Sequence, residues 1–424
     1  MPATESTRTA SRWITRIVPF FLAAAVAYAT YVVVARVSVG YFIKTRQEKS
    51  PAIAILVLYF VSFSLMIITY LRTLYTANFD PGLVPLGPGA VEHRNNGNEK
   101  HATQANASDD IEGRAYETGP SADVDSPGLE EFYTRDVFVA EPDGRPRWCS
   151  KCCNWKHDRV HHSSEIDRCV YRMDHYCPWV GGMIGETSFK YFVQFTAYAT
   201  FFCAVVVGAT APVVRSKGIS EPTSLAALII AAFFGVFASL MTLTSMRYIH
   251  QNMTNVDLLS YKTKVYYLAV RVPRETRSDK FRVIVYPRPR PGAISNKSPT
   301  EGSSQTSNTQ VGDNQELTGP ATSRDDLALR TFAILETRQG ENPWDVGPWR
   351  NWISVMGTTP FDWLLPIRPS PCANHENRES LYPMGKLLDE VRTRYDLPTG
   401  PPSDESTVME LRNLRNGGDR ALSA

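Results

Sequence analysis

Between Arg147 and Phe192 the chain carries Cys149-x2-Cys152, His162 and Cys169, then Asp174-His175-Tyr176-Cys177-Pro178-Trp179. The first four residues make a Cys3His set that suits tetrahedral Zn²⁺ with no position left for water, so a metal there is structural and stiffens a loop-rich segment. A Cys149/Cys152 redox pair and plain packing cysteines are the alternative readings, and Cys153, His157 and His161 read as bystanders. Asp174, His175 and Cys177 supply an orienter, a base and a nucleophile: a thiol with a pKa of about 8.5 needs an adjacent imidazole to take its proton and a carboxylate to fix the ring. The tetrapeptide alone also describes a surface turn, but Pro178-Trp179 and an apolar stretch follow at once. That places the thiol near a membrane headgroup layer, with Trp179 as an interface anchor. Five of the seven cysteines fall between Cys149 and Cys177, which describes one site rather than a disulfide framework.

The elements that position this loop are apolar. Ile17–Ala35, Ser50–Leu71, Tyr191–Val214 and Pro222–Met246 contain no Asp, Glu, Lys or Arg. At about 1.5 Å per residue each reaches roughly 28 to 37 Å, against a hydrocarbon core of about 30 Å. The first follows Arg8, Arg12 and Arg16 but is too long for a signal-peptide core, so it reads as a retained anchor. The expected fold is therefore an all-α membrane protein of four transmembrane helices, with a small cytosolic zinc-bound cysteine-rich module containing β-hairpins and partly disordered cytosolic tails.

The expected division is 1–16 N-terminus, 17–71 spans one and two, 72–130 juxtamembrane segment and linker, 131–190 catalytic module and 191–247 spans three and four. It continues with 248–290 post-membrane segment, 291–326 disordered linker, 327–398 C-terminal motif with an amphipathic helix, and 399–424 tail. Four spans leave only the loops Arg36–Lys49 and Arg215–Glu221 on the far side. Charge counting does not orient them, but free metal-binding or nucleophilic thiols persist in a reducing compartment, so the cysteine loop should face the cytosol.

Gly87–Gly128 and Ser295–Asp326 have the composition of disordered chain. Asp136–Ala140 and Arg145–Cys149 flank Pro142-Asp143-Gly144, a hairpin signal, while Val265–Val272 and Phe281–Tyr286 read as strands. Leu381, Met384, Leu387, Leu388, Val391 and Tyr395 recur at helical spacing, fitting a helix laid on the membrane or on the module. Sequons begin at Asn106, Asn252 and Asn296, all on the expected cytosolic side and so unused. Cys203 reads as packed within a span and Cys372 as exposed tail. Lys+Arg 45 against Asp+Glu 43 lacks the basic excess of a nucleic-acid binder. Uncharged spans also disfavour a transporter.

At these residues the chain resembles the DHHC family of protein S-acyltransferases. Asp80-Pro81-Gly82 lies after the second span as in the family, and Asn342-Pro343-Trp344-Asp345-x-Gly347-x3-Asn351-Trp352-x2-Val355-x-Gly357 is similar to its C-terminal motif. The resemblance implies two zinc sites. One maps onto Cys149, Cys152, His162 and Cys169; the other falls on Ser163, Ile166, Tyr176 and Met183, which are not zinc ligands. One zinc is therefore expected, with packing in place of the second. Tyr176 stands where the family has a histidine, Thr254-Asn255-Val256-Asp257 where it has Thr-Thr-x-Glu, and Ser188 where it has asparagine.

The resemblance implies a two-step acyl transfer. Cys177, deprotonated by His175 with Asp174 orienting the ring, takes the acyl group of palmitoyl-CoA and passes it to cytosol-facing cysteines of substrate proteins. The spans should hold the acyl chain, since about fifteen methylenes at about 0.8 kcal/mol each carry roughly 12 kcal/mol of gross transfer energy. Trp179, Tyr28, Tyr31, Phe201 and Phe202 are the expected cavity residues, and Arg159, Arg168, Arg172 and Lys190 the expected CoA-phosphate ligands. The expected location is an endomembrane or plasma membrane, active site cytosolic. An inactive zinc-stabilised membrane scaffold and a thiol oxidoreductase are the alternatives.

Overall fold

A computed structural model describes residues 5–91, 128–286 and 330–398, with the side chains of 5–14 and 16 left aside. Most of both linkers expected to be disordered, the tail beyond 398 and the sequons at Asn106 and Asn296 lie outside the described residues.

Among the described residues, four helices are long and apolar enough to cross a membrane. Helix α1 (Glu5–Tyr31) continues without a break into a π-helical segment, Val32–Thr45. In a helix wider than α, inward positions recur every four to five residues. Val32, Val33, Val37, Ser38, Tyr41 and Phe42 are the buried set there, and Ser38 Oγ and Thr45 Oγ1 donate to carbonyls five residues back, on Val33 and Gly40. The first span thus runs to Thr45, ten residues past its expected end at Ala35. Arg36, expected in a loop, stays helical and donates to Glu221 at 2.9 Å. Helices α2 (Lys49–Phe79), α3 (Phe189–Lys217) and α4 (Pro222–His250) complete the bundle. The apolar core between them includes Tyr59, Met66, Phe202, Val206 and Ala231.

The module consists of three small hairpins and one sheet. Strands β2 (Arg147–Cys149) and β3 (Asn154–Lys156) pair, as do β4 (His161–Ser163) with β5 (Arg168–Val170) and β6 (His175–Cys177) with β7 (Gly182–Ile184). The antiparallel sheet has the order β1-β8-β10-β9, from Val137–Ala140, Tyr267–Val272, Arg330–Glu336 and Arg282–Tyr286. Its side chains alternate between two buried faces. Val137, Val139, Leu268, Val270 and Leu335 pack under Trp344 and Val391, while Phe138, Ala140, Ala269, Phe332 and Ile334 pack against Leu129, Phe132 and Trp155.

One expectation changes here. The turn at Pro142-Asp143-Gly144 forms, with Glu141 N–H donating to Arg145 O at 2.7 Å, but the flanking strands diverge: β1 pairs with β8 and β2 with β3. Strands β8 and β9 both exist, but β10 lies between them. After α4 come α5 (Asn255–Ser260), α6 (Pro348–Met356), α7 (Pro360–Leu364) and α8 (Leu387–Arg394). The expected amphipathic segment folds as α8, with Leu388 and Val391 buried on the sheet. The start of the first linker is ordered as well. Gly87 N–H donates to Cys152 O at 2.9 Å, an approach so close that a Cβ there would sit 1.5 Å from Cys153 O.

Candidate active site and metal centre

Cys149 and Cys152 lie at and beyond the end of β2, and His162 and Cys169 face each other across the β4–β5 pair. The hairpins turn all four inward. Their ligand atoms lie within 4.8 Å of one another, with His162 Nδ1 at 3.6, 3.4 and 3.9 Å from the sulfurs of Cys149, Cys152 and Cys169. Bonds of about 2.3 Å to sulfur and 2.0 Å to nitrogen in a tetrahedron give such edges, so the donors fit Zn²⁺. Neighbouring sulfurs push the Cys149 thiol strongly down and the Cys169 thiol strongly up, as expected of thiols crowded around a place for a cation. His162 Nε2 lies 3.4 Å from Asp167 Oδ1. It is the sole such cluster among the described residues. At the positions of a second set, Ser163 Oγ donates to Glu165 at 2.8 Å, and Tyr176 pairs across strands with the fully buried Met183.

The β6–β7 hairpin carries Asp174, His175 and Cys177 to the membrane end of the module. Gly182 lets it sit against α2, since a Cβ would meet Ala77 O at 2.7 Å. Tyr70 Oη and Asn78 Nδ2 donate from α2 to the carbonyls of Trp179 and Val180. His175 Nδ1 lies 2.6 Å from Asp174 Oδ2, and the ring lines the same cavity mouth as Cys177, two residues on in β6. Burial pulls the imidazole pKa down, but Asp174 and Cys177 outweigh it and raise it from 6.5 to about 10. The resulting imidazolium beside a sulfur is the arrangement that favours a thiolate nucleophile.

Asp174, 4% exposed, accepts a second bond at Oδ1 from Asn255 N–H, 2.8 Å. That amide opens α5, whose first turn is held by a capping box between Thr254 and Asp257. Asp257 in turn accepts from Arg159 Nη2 at 2.6 Å. Burial pushes its carboxyl up, but the guanidinium prevails and holds it at about 2. Asp257 thus both caps α5 and pairs with Arg159, and Ser188 Oγ accepts from Gly185 N–H and donates to Met183 O beneath the hairpin.

The expected CoA ligands are engaged elsewhere. Arg159 is 2% exposed, bonded to Asn252 and Asp257 and stacked over Trp344 at 5.0 Å. Arg172, 4% exposed, donates to Asn252 and to Cys372 Sγ. Arg168 donates to Val84 O and buried Lys190 to Arg368 O. All four are engaged by protein groups; Arg159, Arg172 and Lys190 are buried and Arg168 is half-buried. Cys372 is correspondingly half-buried rather than exposed tail, and Asn252, buried and donating to Trp344 O, is shielded as a glycosylation acceptor. Arg147, Lys156 and Lys264, not among the expected ligands, form no ion pair among the described residues. Arg147 and Lys156 stand opposite each other across β2–β3, with His161 and Lys264 close by. Burial first, then Arg147, drives the His161 imidazole down to about 3.

A cavity of about 630 Å³ opens at His175 and Cys177 and descends between all four spans. Its walls include Trp179, Tyr28, Phe202, Phe234 and Val206. Trp179 packs its ring on Phe237 at 5.5 Å, inside the bundle rather than at an outer interface. Phe202 meets Tyr59 and Phe63 at 5.2 and 6.3 Å, and Tyr28 Oη donates to Thr223 O. Tyr31 and Phe201 are 53% and 43% exposed and lie outside the lining, because the helix phase turns them toward the lipid side. Cys203 lines the wall.

A family model described as DHHC palmitoyltransferase matches residues 143–262. The chain is 34% identical to Palmitoyltransferase pfa5 of Aspergillus fumigatus over 430 residues, covering 93% of this chain and 92% of the relative. It is 34% identical to Palmitoyltransferase pfa5 of Emericella nidulans, over 94% and 89% of the two chains. With human Palmitoyltransferase ZDHHC3 it shares 33% identity over 159 residues, 34% of this chain and 52% of that one.

Proposed function

The chain belongs to the DHHC palmitoyltransferase family and is a multi-pass membrane protein that transfers palmitoyl groups to protein cysteines; from that premise we propose how its own residues do so. Cys177 is the acyl carrier, His175 the proton acceptor and donor, and Asp174 the group that fixes the ring. The observation that carries this reading is the Asp174–His175 hydrogen bond that sets the imidazole beside Cys177 at the mouth of an apolar cavity.

In the first step the Cys177 thiolate attacks the thioester carbonyl of acyl-CoA. The carbon–sulfur bond to CoA breaks, and the leaving thiolate takes the proton from the His175 imidazolium. In the second step a substrate cysteine gives its proton to His175 and attacks the Cys177 thioester, which returns Cys177 as the thiolate. The acyl chain lies in the cavity, whose volume falls in the range of roughly 300–1,000 Å³ usual for ligand sites. Phe202, against Tyr59, closes one side and limits chain length, with Tyr28 and Trp179 along the wall. Arg147 and Lys156, with Lys264 close by, receive the CoA phosphates, since they are module cations that form no ion pair among the described residues, while the neutral His161 imidazole can serve there only as a hydrogen-bonding group.

Cys149, Cys152, His162 and Cys169 hold a single structural zinc, which fixes the hairpins and takes no part in the transfer. This variant therefore works with Asp-His-Tyr-Cys and without a second metal. The catalytic unit, 131–190, acts as one body with 248–286 and 330–398, because β1, β8 and β10 share a sheet. It faces the cytosol, where its thiols stay reduced and acyl-CoA and substrate cysteines are present.

The test is covalent labelling of purified protein with alkyne-tagged palmitoyl-CoA. Hydroxylamine-sensitive label that is absent from Cys177→Ser is expected. Zinc-loaded wild type that stays unlabelled at every acyl length would replace the enzyme with a scaffold.

A further inference from the structure

Attack on a thioester carbonyl passes through a tetrahedral intermediate whose oxygen carries the negative charge, and a site that excludes water has to meet that charge with donors already in place. A turn that bears a nucleophile commonly uses the backbone N–H of the next residue for this. In this chain the next residue is Pro178, which has none. Val180 and Gly181 give their amides to Cys177 O at 3.2 and 2.8 Å. The turn therefore cannot supply a pair of amides by itself. With His175 committed to the leaving sulfur, a second donor has to come from a side chain at the cavity mouth.

The cavity lining holds few hydroxyls. Those of Tyr28, Thr30 and Thr196 go to Thr223 O, Val26 O and Val193 O, none of them on the catalytic turn. Tyr70 of α2 differs. It lines the cavity together with His175 and Cys177, and its Oη donates to Trp179 O, two residues past the nucleophile, at 3.2 Å. Its ring is steadied by Phe195, centroids 5.0 Å apart. The bond to Trp179 O is longer than the roughly 2.5–3.0 Å usual for O–H···O, so little is lost when the phenol turns to a better acceptor. A charged oxygen is one, taking a bond of about 2.5–2.7 Å that is roughly twice as strong.

We infer that Tyr70 is a catalytic hydrogen-bond donor whose Oη turns from Trp179 O to the oxyanion formed at the thioester carbon; the inference rests on Cys177 as the acyl carrier. As the bond from the Cys177 sulfur to that carbon forms, the carbonyl π pair moves onto oxygen, and the Tyr70 hydroxyl meets it without giving up its proton. When the pair returns, the bond to the CoA sulfur breaks and the phenol goes back to Trp179 O. The same exchange serves the second step, in which the bond to Cys177 breaks. A donor spent on a weak internal bond at rest and on a charge in the transition state acts on the rate rather than on substrate affinity.

Tyr70→Phe keeps the ring and its Phe195 contact but removes the donor. Full-length wild type and variant, both zinc-loaded, are followed through one turnover with alkyne-tagged palmitoyl-CoA and, in parallel, with N-hexadecyl iodoacetamide, which the thiolate alkylates by displacing iodide without forming an oxyanion. Acylation should slow by about 10²–10³ while alkylation keeps the wild-type rate. Acylation of the variant at the wild-type rate would overturn the inference. So would an equal loss in both reactions, which would make Tyr70 a support for the turn and nothing more. Wild type that alkylates at Cys177 but never acylates would instead remove the acyl-carrier reading beneath it.

Discussion

Replacing Asp174 by asparagine should silence His175 while leaving it in place. The aspartate accepts two N–H groups, from Asn255 at Oδ1 and from His175 Nδ1 at Oδ2. The Asn255 amide can only donate, so an asparagine oxygen must turn toward it and the NH₂ toward the ring. Nδ1 then becomes an acceptor, the ring proton moves to Nε2, and the nitrogen left for the sulfur can no longer take its proton. The raised His175 pKa, from 6.5 to about 10, corresponds to about 5 kcal/mol of preference for the imidazolium. Because the folded-state value is the higher one, that stabilisation is complete below pH 6.5 and is lost as pH rises through about 10. Without the carboxylate, burial prevails and the ring is neutral at physiological pH. Acyl-enzyme formation, followed with the alkyne-tagged thioester under single-turnover conditions, should fall by about 10²–10⁴ with zinc content unchanged. The stability deficit of the variant should shrink as pH approaches 10. A folded, zinc-loaded Asp174→Asn protein that acylates at the wild-type rate would refute the reasoning.

Elemental analysis of the purified chain should return one zinc, and Cys169→Ser should lose it together with the protease resistance of the module; two equivalents would contradict the packed second site. Arg159→Ala strands a buried carboxylate at Asp257 and should cost about 3–5 kcal/mol in thermal or denaturant unfolding. Phe202→Ala should shift the acyl-CoA preference toward longer chains in competition assays, leaving hydroxylamine sensitivity intact. Removing both Arg147 and Lys156 by alanine substitution should raise KM for acyl-CoA and flatten its dependence on salt, with little change in kcat.

What could be read in advance depended on how local the determinant was. The zinc set is a matter of spacing along two hairpins, and the spans a matter of uncharged length, so both stand in the sequence. The roles of Arg159 and Arg172 do not, because their partner Asn252 follows the fourth span and nothing near either arginine announces it. Adjacent aromatics posed a second difficulty. Phe201 and Phe202 differ by one residue, about 100° around a helix, and only the bundle decides which of them faces the cavity. The turn at Pro142-Asp143-Gly144 was legible, but its first strand is taken up by β8, more than a hundred residues later in the chain, and its second by β3.

The strand order β1-β8-β10-β9 also has a temporal meaning. At synthesis rates of about 5–20 residues per second, β1 leaves the ribosome well before its neighbour β8, and the third and fourth spans must enter the bilayer in between. The central strand β10 arrives last of all. The zinc knuckles can close early, but the sheet that backs them waits until both membrane crossings are made and Glu336 has emerged. A chain that inserts wrongly or stops early therefore leaves β1 and β8 with bare edges, a form that quality-control proteases can recognise before a reactive thiol is ever assembled.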